Sequence, residues 1–354
     1  MQSSSRKLVA GVIAVVVLGF VVYHSRGMFH LAGFSGAKLL HAIRGANPYL
    51  LILSVVAIYG CYAIRSLRWQ VFQRNLGPSR FWPIYSMTLA GFSAIFLLGR
   101  AGEPIRPLLL ARKEKLPAAD MFGIYALERL FDFASMAVIA AAGLLLFKTH
   151  ENAGEVADKL QTAARSAGFA FAGIVVAAAV FLIYLRLHGT ALLERRLQGW
   201  LAATGWRATV AKILLGFARG VQAIRTWSDL VLATFYSAAH WFLVLVIYLW
   251  VSHSFGGQLG AMSLSDATLV LAFTLVGSAV QVPGVGGGSQ AGSIIAYTVI
   301  FGVEREAAVV AAMVIWLITF ASCSLVGVPL LFHQGLSLGQ LKNLAEHEKE
   351  EIAE

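Results

Sequence analysis

The sequence predicts an all-α polytopic membrane protein with about six full spans and two re-entrant helical hairpins in an inverted-topology repeat. Hydrophobic residues make up 58% of the 354 residues and charged residues only 13%, against about 45–50% and about 25% in soluble domains. Two apolar segments are interrupted near their middle, and the basic residues collect on one side of the predicted spans. These three observations argue against a soluble globular domain.

Six apolar segments have about the length, roughly 20 residues, that a membrane-spanning helix needs. They are residues 8–25, 48–67, 118–147, 167–186, 229–252 and 307–332. The first follows Arg6 and Lys7 as in a signal peptide, but no small-residue cleavage site comes after it, which favours a retained helix. Cys61 and Cys323 lie in apolar segments and lack metal-ligand spacing, so we expect neither a metal nor a cofactor.

Two further apolar segments contain helix-breaking residues, which predicts that each folds as a hairpin. The first lies near 81–112 and is broken at 99–104, and the second lies near 264–302 and is broken at 283–288. The Gly and Pro residues at these breaks do not allow one straight helix. We therefore predict that each segment enters and leaves the membrane on the same side.

The distribution of basic residues predicts the orientation of the spans. If both hairpins are re-entrant and the N-terminus is cytoplasmic, most of the 28 Lys and Arg residues lie on the cytoplasmic side. Among them are those at 65–80, 106–115 and 186–225. A first hairpin that crossed completely would place the last two groups outside, against the positive-inside rule. The dispersed basic residues form no nucleic-acid surface, and both termini are predicted to be cytoplasmic.

The order span, span, hairpin, span then occurs twice, in residues 1–147 and again in 167–332. An external loop, 148–166, separates the two repeats, and a cytoplasmic tail, 333–354, follows the second. The second repeat begins on the opposite side and includes a cytoplasmic amphipathic segment at 187–227. In inverted repeats of this kind, the paired broken segments mark the substrate site near the membrane midplane.

Ionisable residues occur at the first break and in the helix that follows it. They are Arg100, Glu103, Arg106, Glu128, Arg129 and Asp132. Their formal charges cancel, which predicts that the hairpin docks on the helix through salt bridges. Arg100 and Arg106 are also candidates for binding an anionic headgroup, because guanidinium groups near a helix start suit phosphate. Glu103, Glu128 and Asp132 would then orient them or move protons.

The second break carries no charge but much accessible backbone. Its candidate headgroup-binding residues are Gly284, Gly286, Gly287, Gly288, Ser289 and Gln290. Glycines allow a ligand to approach closely and form anion-binding concavities, although they equally permit tight helix packing. The GK[ST] ending of a P-loop is missing. His240 could relay protons or hydrogen-bond a neighbouring helix.

Three motifs, GRAGEPIR at 99–106, ERLFD at 128–132 and PGVGGGSQ at 283–290, resemble those of the lysylphosphatidylglycerol synthase transmembrane family, also called the flippase-like family. The resemblance covers essentially the whole chain. It implies a multi-pass protein of the bacterial or archaeal cytoplasmic (inner) membrane that moves a polar-headed, phosphate-bearing lipid between leaflets. Lysyl transfer is not expected, because a separate soluble domain carries it in the full synthase. The family's last motif often ends in Glu, where this chain has Gln290.

Membrane lipid is the expected partner, with lipid-synthesis enzymes and a second copy of the chain as further candidates. No ATP motif is evident, so a gradient or downhill movement would drive transport. One alternative is a membrane-embedded enzyme that modifies a lipid, with Glu128 or Asp132 as acid and base. Another is a non-catalytic partner of a lipid-synthesis complex. Because no nucleophile or metal motif is present, we expect a protein that is not an enzyme.

Overall fold

A computed structural model describes residues 36–146, 191–201, 224–278, 281–282 and 286–333, with scattered positions at 162–180 and residue 211. The predicted span 8–25 and most of the segments 148–166, 167–186, 187–227 and 333–354 lie outside these residues. The predictions made for them stay predictions.

Helices dominate the described residues, which agrees with the predicted all-α class. The α-helices are α1 Gly36–Gly45, α2 Pro48–Gln73, α3 Phe81–Leu98, α4 Ile105–Glu114, α5 Ala118–Leu146, α6 Ala191–Leu201, α7 Trp227–Ser254, α8 Gly257–Gly260, α9 Leu264–Gly277, α10 Gly288–Ile295, α11 Arg305–Trp316 and α12 Cys323–His333. The remaining elements are a 3-10 turn Gly99–Gly102, two short strands, β1 Gln281–Val282 and β2 Gly286–Gly287, and π-helical turns Ala296–Ile300 and Leu317–Ala321.

Within the described residues, four helices are long and apolar enough to cross a membrane: α2, α3, α7 and the continuous stretch Arg305–His333. Helix α5, with 29 residues, is of similar length. Helix α2 extends to Gln73, past the predicted end at residue 67. Arg65 and Arg68, which the distribution of basic residues assigned to the cytoplasmic side, thus lie within the helix. Their side of the membrane stays a prediction. Both side chains are buried. Their burial is tolerated because acidic residues of another helix neutralise their charge.

Helices α2 and α7 form an antiparallel pair with a polar contact at each end. At one end the Asn47 N–H donates to the Ser254 carbonyl at 2.7 Å. At the other end Arg74 forms an ion pair with Asp229. Asp229 also completes the capping box of α7 with Thr226, so one carboxylate both starts the helix and holds its neighbour. These contacts hold α2 and α7 together at both ends.

The first interrupted segment folds back on itself, with α3 and α4 packed side by side. A Cβ added at Gly91 would lie 2.4 Å from the Cβ of Arg106, and one added at Gly102 would lie 2.4 Å from the Ala94 carbonyl oxygen. Gly99, where the chain turns, has a φ of 65°, which favours glycine. The helices of this hairpin approach as closely as they do because these positions have no side chain.

The second interrupted segment also folds back, through a short strand ladder. Gln281 pairs with Gly287 and Val282 pairs with Gly286 in antiparallel register, so the glycine-rich break is partly extended. Helices α9 and α10 then touch through backbone. A Cβ at Gly277 would lie 2.0 Å from the Gly288 carbonyl oxygen.

The two hairpins open at opposite ends of the fold and meet at their tips. The first begins just after Arg74, at the end of the α2–α7 pair that Asp229 marks. The second begins after Ser254, at the other end. Strand β1 contacts the 3-10 turn Gly99–Gly102. The breaks that the sequence singled out are therefore neighbours in space.

Each hairpin packs against the last long helix of the other half of the chain. Helix α12 crosses α3 at Gly327, where an added Cβ would lie 2.2 Å from the Leu89 carbonyl oxygen. Helix α9 crosses α5 at Gly143, where it would lie 3.5 Å from the Leu269 Cα. The two halves are thus interlocked through reciprocal contacts.

Single cysteines at the two ends of the fold should be reached from opposite sides of the membrane. Lys113 is exposed at the end where the first hairpin opens, and Gln258 and Glu304 are exposed at the other end. In a background with alanine at the buried Cys61 and Cys323, we expect a membrane-impermeant maleimide to label Lys113→Cys only from the cytoplasmic side. It should label Gln258→Cys and Glu304→Cys only from the external side. Labelling of all three from one side would contradict the opposed hairpins.

Candidate functional site

A buried charge cluster contains two arginines of α2. Arg65 and Arg68 are three residues apart and therefore share a helix face. Arg68 donates from Nη2 to Asp132 Oδ1 at 2.8 Å and to Glu128 Oε1 at 3.0 Å. Its Nη1 donates to Ser237 Oγ of α7 at 2.8 Å. Arg65 Nη2 lies 2.5 Å from Asp132 Oδ2.

Helix α5 presents Glu128 and Asp132 four residues apart, on one face. The second Glu128 oxygen, Oε2, accepts a hydrogen bond from Arg106 Nη1 at 2.6 Å. Arg106 lies in the first turn of α4, and its guanidinium carbon lies 4.4 Å from the centre of the Trp69 ring, a cation–π distance. The first hairpin is thus joined to α2 and α5 through one buried arginine.

Arg129 lies at the partly exposed edge of this cluster. Its side chain is 29% exposed, and its Nη2 lies 3.6 Å from Asp132 Oδ2. Its guanidinium carbon lies 5.0 Å from the centre of the Tyr125 ring, and the Tyr125 hydroxyl donates to the Glu103 carboxylate. Glu103 therefore joins the cluster through a tyrosine.

His240 of α7 also belongs to this cluster. Its Nε2 lies 3.2 Å from Arg65 Nη1. Because a guanidinium group has only donors, Nε2 is the acceptor in this contact. This arrangement supports the helix-bonding interpretation of His240 over the proton relay.

Several donors of the cluster are buried without an acceptor in the part of the chain that the structure describes. They are the Nε atoms of Arg68, Arg106 and Arg129, and Nη2 of Arg106. Arg65 Nε lies 3.3 Å from Glu128 Oε1, and His240 Nδ1 has no partner there either. Four arginines surround two carboxylates. Buried donors are normally paired, and buried charge is normally balanced. The cluster is therefore suited to an added anion.

The sequence predicted part of this cluster correctly. Arg106, Glu128, Arg129 and Asp132 lie together, and the Arg106–Glu128 pair docks the hairpin on α5 as expected. Arg65 and Arg68, which were not predicted to belong to this group, also pair with both carboxylates. Two arginines three apart in an apolar run were the signal that could have revealed them.

Arg100 and Glu103 lie at or beside the tip of the first hairpin. Arg100 lies in the 3-10 turn at the tip of the first hairpin, and its side chain is outside the described part. Glu103, predicted to form a salt bridge, instead accepts from Tyr125.

The candidate residues of the second hairpin form a local cap. Gln290 is buried, and its Oε1 accepts from the Gly287 N–H at 2.7 Å and from Ser289 Oγ at 3.0 Å. Gly288 begins α10, and Gly286 lies in the strand ladder. Gly284 is outside the described residues. The Gln290 oxygen is thus used to hold the glycine loop, while headgroup binding by these residues stays a prediction.

Metal ligation receives no support from the residues that the structure describes. They contain no group of three or more His, Cys, Asp or Glu side chains that could hold a metal ion. The acidic members of the charge cluster are surrounded by arginine, which would repel a cation.

Comparison with known proteins gives two matches. The family model described as the lysylphosphatidylglycerol synthase TM region matches residues 8–327. A UPF0104 membrane protein of Methanothermobacter thermautotrophicus is 30% identical over 155 residues, which are 42% of this chain and 41% of that protein. The similarity therefore spans less than half of either chain. No solved structure matches.

Proposed function

The chain belongs to the lysylphosphatidylglycerol synthase transmembrane region family, and on this premise we propose that it moves a polar-headed, phosphate-bearing lipid between the leaflets of its membrane. The observation that carries the proposal is the excess of buried arginine donors over carboxylates. Ionisable groups inside a membrane protein are costly and commonly mark a substrate pathway. Unmatched guanidinium donors favour an anionic substrate, and phosphate is the anion that lipid headgroups carry.

The hairpins provide a route for the headgroup. Helix α4 has 10 residues and α9 has 14, so at 1.5 Å per residue they are about 15 and 21 Å long. A bilayer core is about 30 Å thick, so these two arms are too short to cross it, which supports re-entrance. Helix α3, the other arm of the first hairpin, is by itself long enough to cross. Their opposite openings and touching tips support a central site that opens alternately to the two sides. The reciprocal packing at Gly143 and Gly327 supports the inverted repeat.

Arg106 is the residue best suited to hold the phosphate. Its Nη1 is fixed by Glu128, and its Nε and Nη2 are unpaired among the described residues. Two parallel N–H donors match two phosphate oxygens. Acyl chains could remain in the bilayer while the headgroup crosses, which avoids exposing a bare charge to hydrocarbon.

The enzymatic alternative has less support from the geometry. Every oxygen of Glu128 and Asp132 lies within ion-pair distance of an arginine. Such pairing stabilises the ionised form, so neither group is well placed to donate a proton. We therefore rank transport above lipid modification.

Reconstitution in liposomes tests the proposal. With a labelled phospholipid in one leaflet, we expect the native chain to exchange it between leaflets and Arg106→Gln to be at least about tenfold slower. Loss of one charged partner in a buried pair costs about 2 kcal/mol or more, and 1.4 kcal/mol corresponds to about tenfold.

Arg112→Gln is the matched control, because it removes the same charge from an exposed position of the same helix. Unchanged exchange in Arg106→Gln, with the protein folded, would contradict the assigned role. Absence of exchange with the native chain would contradict transport, and a chemically altered lipid would indicate the enzyme instead.

A further inference from the structure

We propose that Trp69 is a positioning residue of the headgroup site, whose ring holds the Arg106 guanidinium so that one edge of that group stays free for a phosphate. This inference rests on the proposed function for its premise that Arg106 takes a phosphate. It adds the residue that orients Arg106 and the kind of interaction through which that residue acts.

The guanidinium of Arg106 is a flat group, and its contacts divide between its edges and a face. Glu128 accepts a hydrogen bond from Nη1 at 2.6 Å. The Trp69 ring lies against a face, with its centre 4.4 Å from the guanidinium carbon. Nε and Nη2, which share one edge, have no acceptor among the described residues. That edge is suited to bind a phosphate through two parallel hydrogen bonds.

An aromatic ring suits this position because its face attracts a cation without occupying the N–H groups at the edge. A carboxylate or amide side chain in the same place would accept from that edge and compete with a phosphate. Tryptophan is the strongest aromatic partner for a cation, and the attraction grows when water is excluded. Trp69 and Arg106 are only 0% and 2% exposed. Trp69 therefore stabilises the charge of Arg106 and leaves its free edge unoccupied.

The Trp69 ring is itself held in place by a buried amide. Its Nε1 donates to Gln73 Oε1 at 2.8 Å, and the Gln73 amide donates to the Pro78 carbonyl. Gln73 is fully buried and lies one helical turn after Trp69, on the same face of α2. The ring cannot turn away from Arg106 without breaking a buried hydrogen bond, which is costly.

The other aromatic ring near Arg106 is less well placed for this role. The Phe92 ring centre lies 5.8 Å from the guanidinium carbon of Arg106 but 4.9 Å from that of Arg65. Phe92 is thus the closer partner of Arg65. Gly91, beside it, brings α3 close to the Cβ and Cγ of Arg106 rather than to its charged end. Trp69 is therefore the ring that orients the guanidinium.

Site-specific fluorination of Trp69 in the full chain tests the inference. Each fluorine withdraws electrons from the ring face and weakens its attraction for a cation, with little change in ring size. It also makes the indole N–H a stronger donor, so the bond to Gln73 is kept. In liposomes with a labelled phospholipid in one leaflet, we expect exchange to slow stepwise from the monofluoro to the tetrafluoro ring, by about tenfold overall.

The matched control is the same series at Trp316. This tryptophan is also buried, but its ring packs against that of Phe96, with the two centres 5.9 Å apart. We expect its fluorination to leave the exchange rate within about twofold of the native rate, because cores tolerate nearly isosteric changes. A flat series at Trp69 would overturn the inference, since a tryptophan that only fills the core would tolerate these rings equally well.

A spectroscopic readout follows the binding step. In detergent, the fluorine NMR signal of a monofluorinated Trp69 should shift when phosphatidylglycerol is added, because a phosphate at the free edge of Arg106 changes the electric field at the ring. Diacylglycerol, which has acyl chains but no phosphate, should leave the signal in place. Arg106→Gln should abolish the shift. A shift that persists in this folded variant would overturn the inference.

Glycerol phosphate separates a lipid headgroup from free phosphate. We expect this soluble molecule, which lacks acyl chains, not to shift the Trp69 signal at the same concentration. An equal shift would overturn the lipid premise in favour of a free-phosphate site.

The two proposals fail in different ways. A flat fluorine series, with exchange by the native chain intact, would overturn the role of Trp69 and leave transport in place. Absence of exchange by the native chain, with the Trp69 signal shifted by phosphatidylglycerol but not by diacylglycerol, would overturn transport and leave the positioning of Arg106 in place.

Discussion

Replacing Glu128 with glutamine should lower the free energy of unfolding by about 3–5 kcal/mol, because removal of one partner from a buried ion pair leaves uncompensated charge. Glu128 is fully buried and lies within ion-pair distance of Arg65, Arg68 and Arg106. A glutamine side chain keeps the shape and the hydrogen-bonding capacity but not the charge. The measurement is denaturant-induced unfolding in detergent micelles, followed by tryptophan fluorescence.

Asp120→Asn is the matched control for this prediction. Asp120 lies in the first turn of the same helix, α5, where a carboxylate contributes about 0.3–1 kcal/mol through the helix dipole. A double variant that also carries Arg106→Gln should recover part of the stability, since it restores the balance of charge. If Glu128→Gln proves no less stable than Asp120→Asn, Glu128 does not neutralise the arginines.

The second large effect is expected from Gly277→Ala, which should cost about 3 kcal/mol or more. The added Cβ would lie 2.0 Å from the Gly288 carbonyl oxygen and 2.8 Å from its carbonyl carbon. Backbone atoms cannot rotate away as a flexible side chain can, so α9 and α10 would have to separate. Overpacking of a tight interior usually costs about 1–3 kcal/mol and sometimes more. The same unfolding measurement applies.

Gly199→Ala makes the same chemical change where there is room for it. Gly199 lies in α6, and an added Cβ would have nothing within 4 Å. We expect this variant to be unchanged or up to about 1 kcal/mol more stable, because alanine favours a helix over glycine. Equal stabilities of the two variants would show that the second hairpin is not closely packed at its tip.

Much of the helical framework could be predicted from hydropathy and from helix breakers. Length and apolar character identify α2, α5, α7 and the stretch 305–333 because lipid-facing helices must be apolar along their length. The Gly and Pro interruptions identified both hairpins, since those residues disrupt a straight helix wherever they occur. These are local properties, so one sequence is enough to recognise them.

The site was less predictable because its partners come from distant parts of the chain. Arg106 and Glu128 are 22 residues apart, and their pairing followed from charge alone. Arg68 and Ser237 are 169 residues apart, and the sequence around neither residue indicates that they are in contact. Arg65 and Arg68 lie just before and just after the predicted end of the second span at residue 67. A buried arginine and a loop arginine look alike there until their neighbours are known.

The close approach of Gly91 to Arg106 has a consequence for how this family can diverge. Any side chain at position 91 would occupy the space of the Arg106 Cβ, so the two positions cannot change independently. We expect relatives with a larger residue at the equivalent of 91 to have glycine at the equivalent of 106, since every other residue has a Cβ, or to hold the two helices of the hairpin farther apart. The side chain at position 106 therefore depends on the absence of a side chain at position 91 in the neighbouring helix.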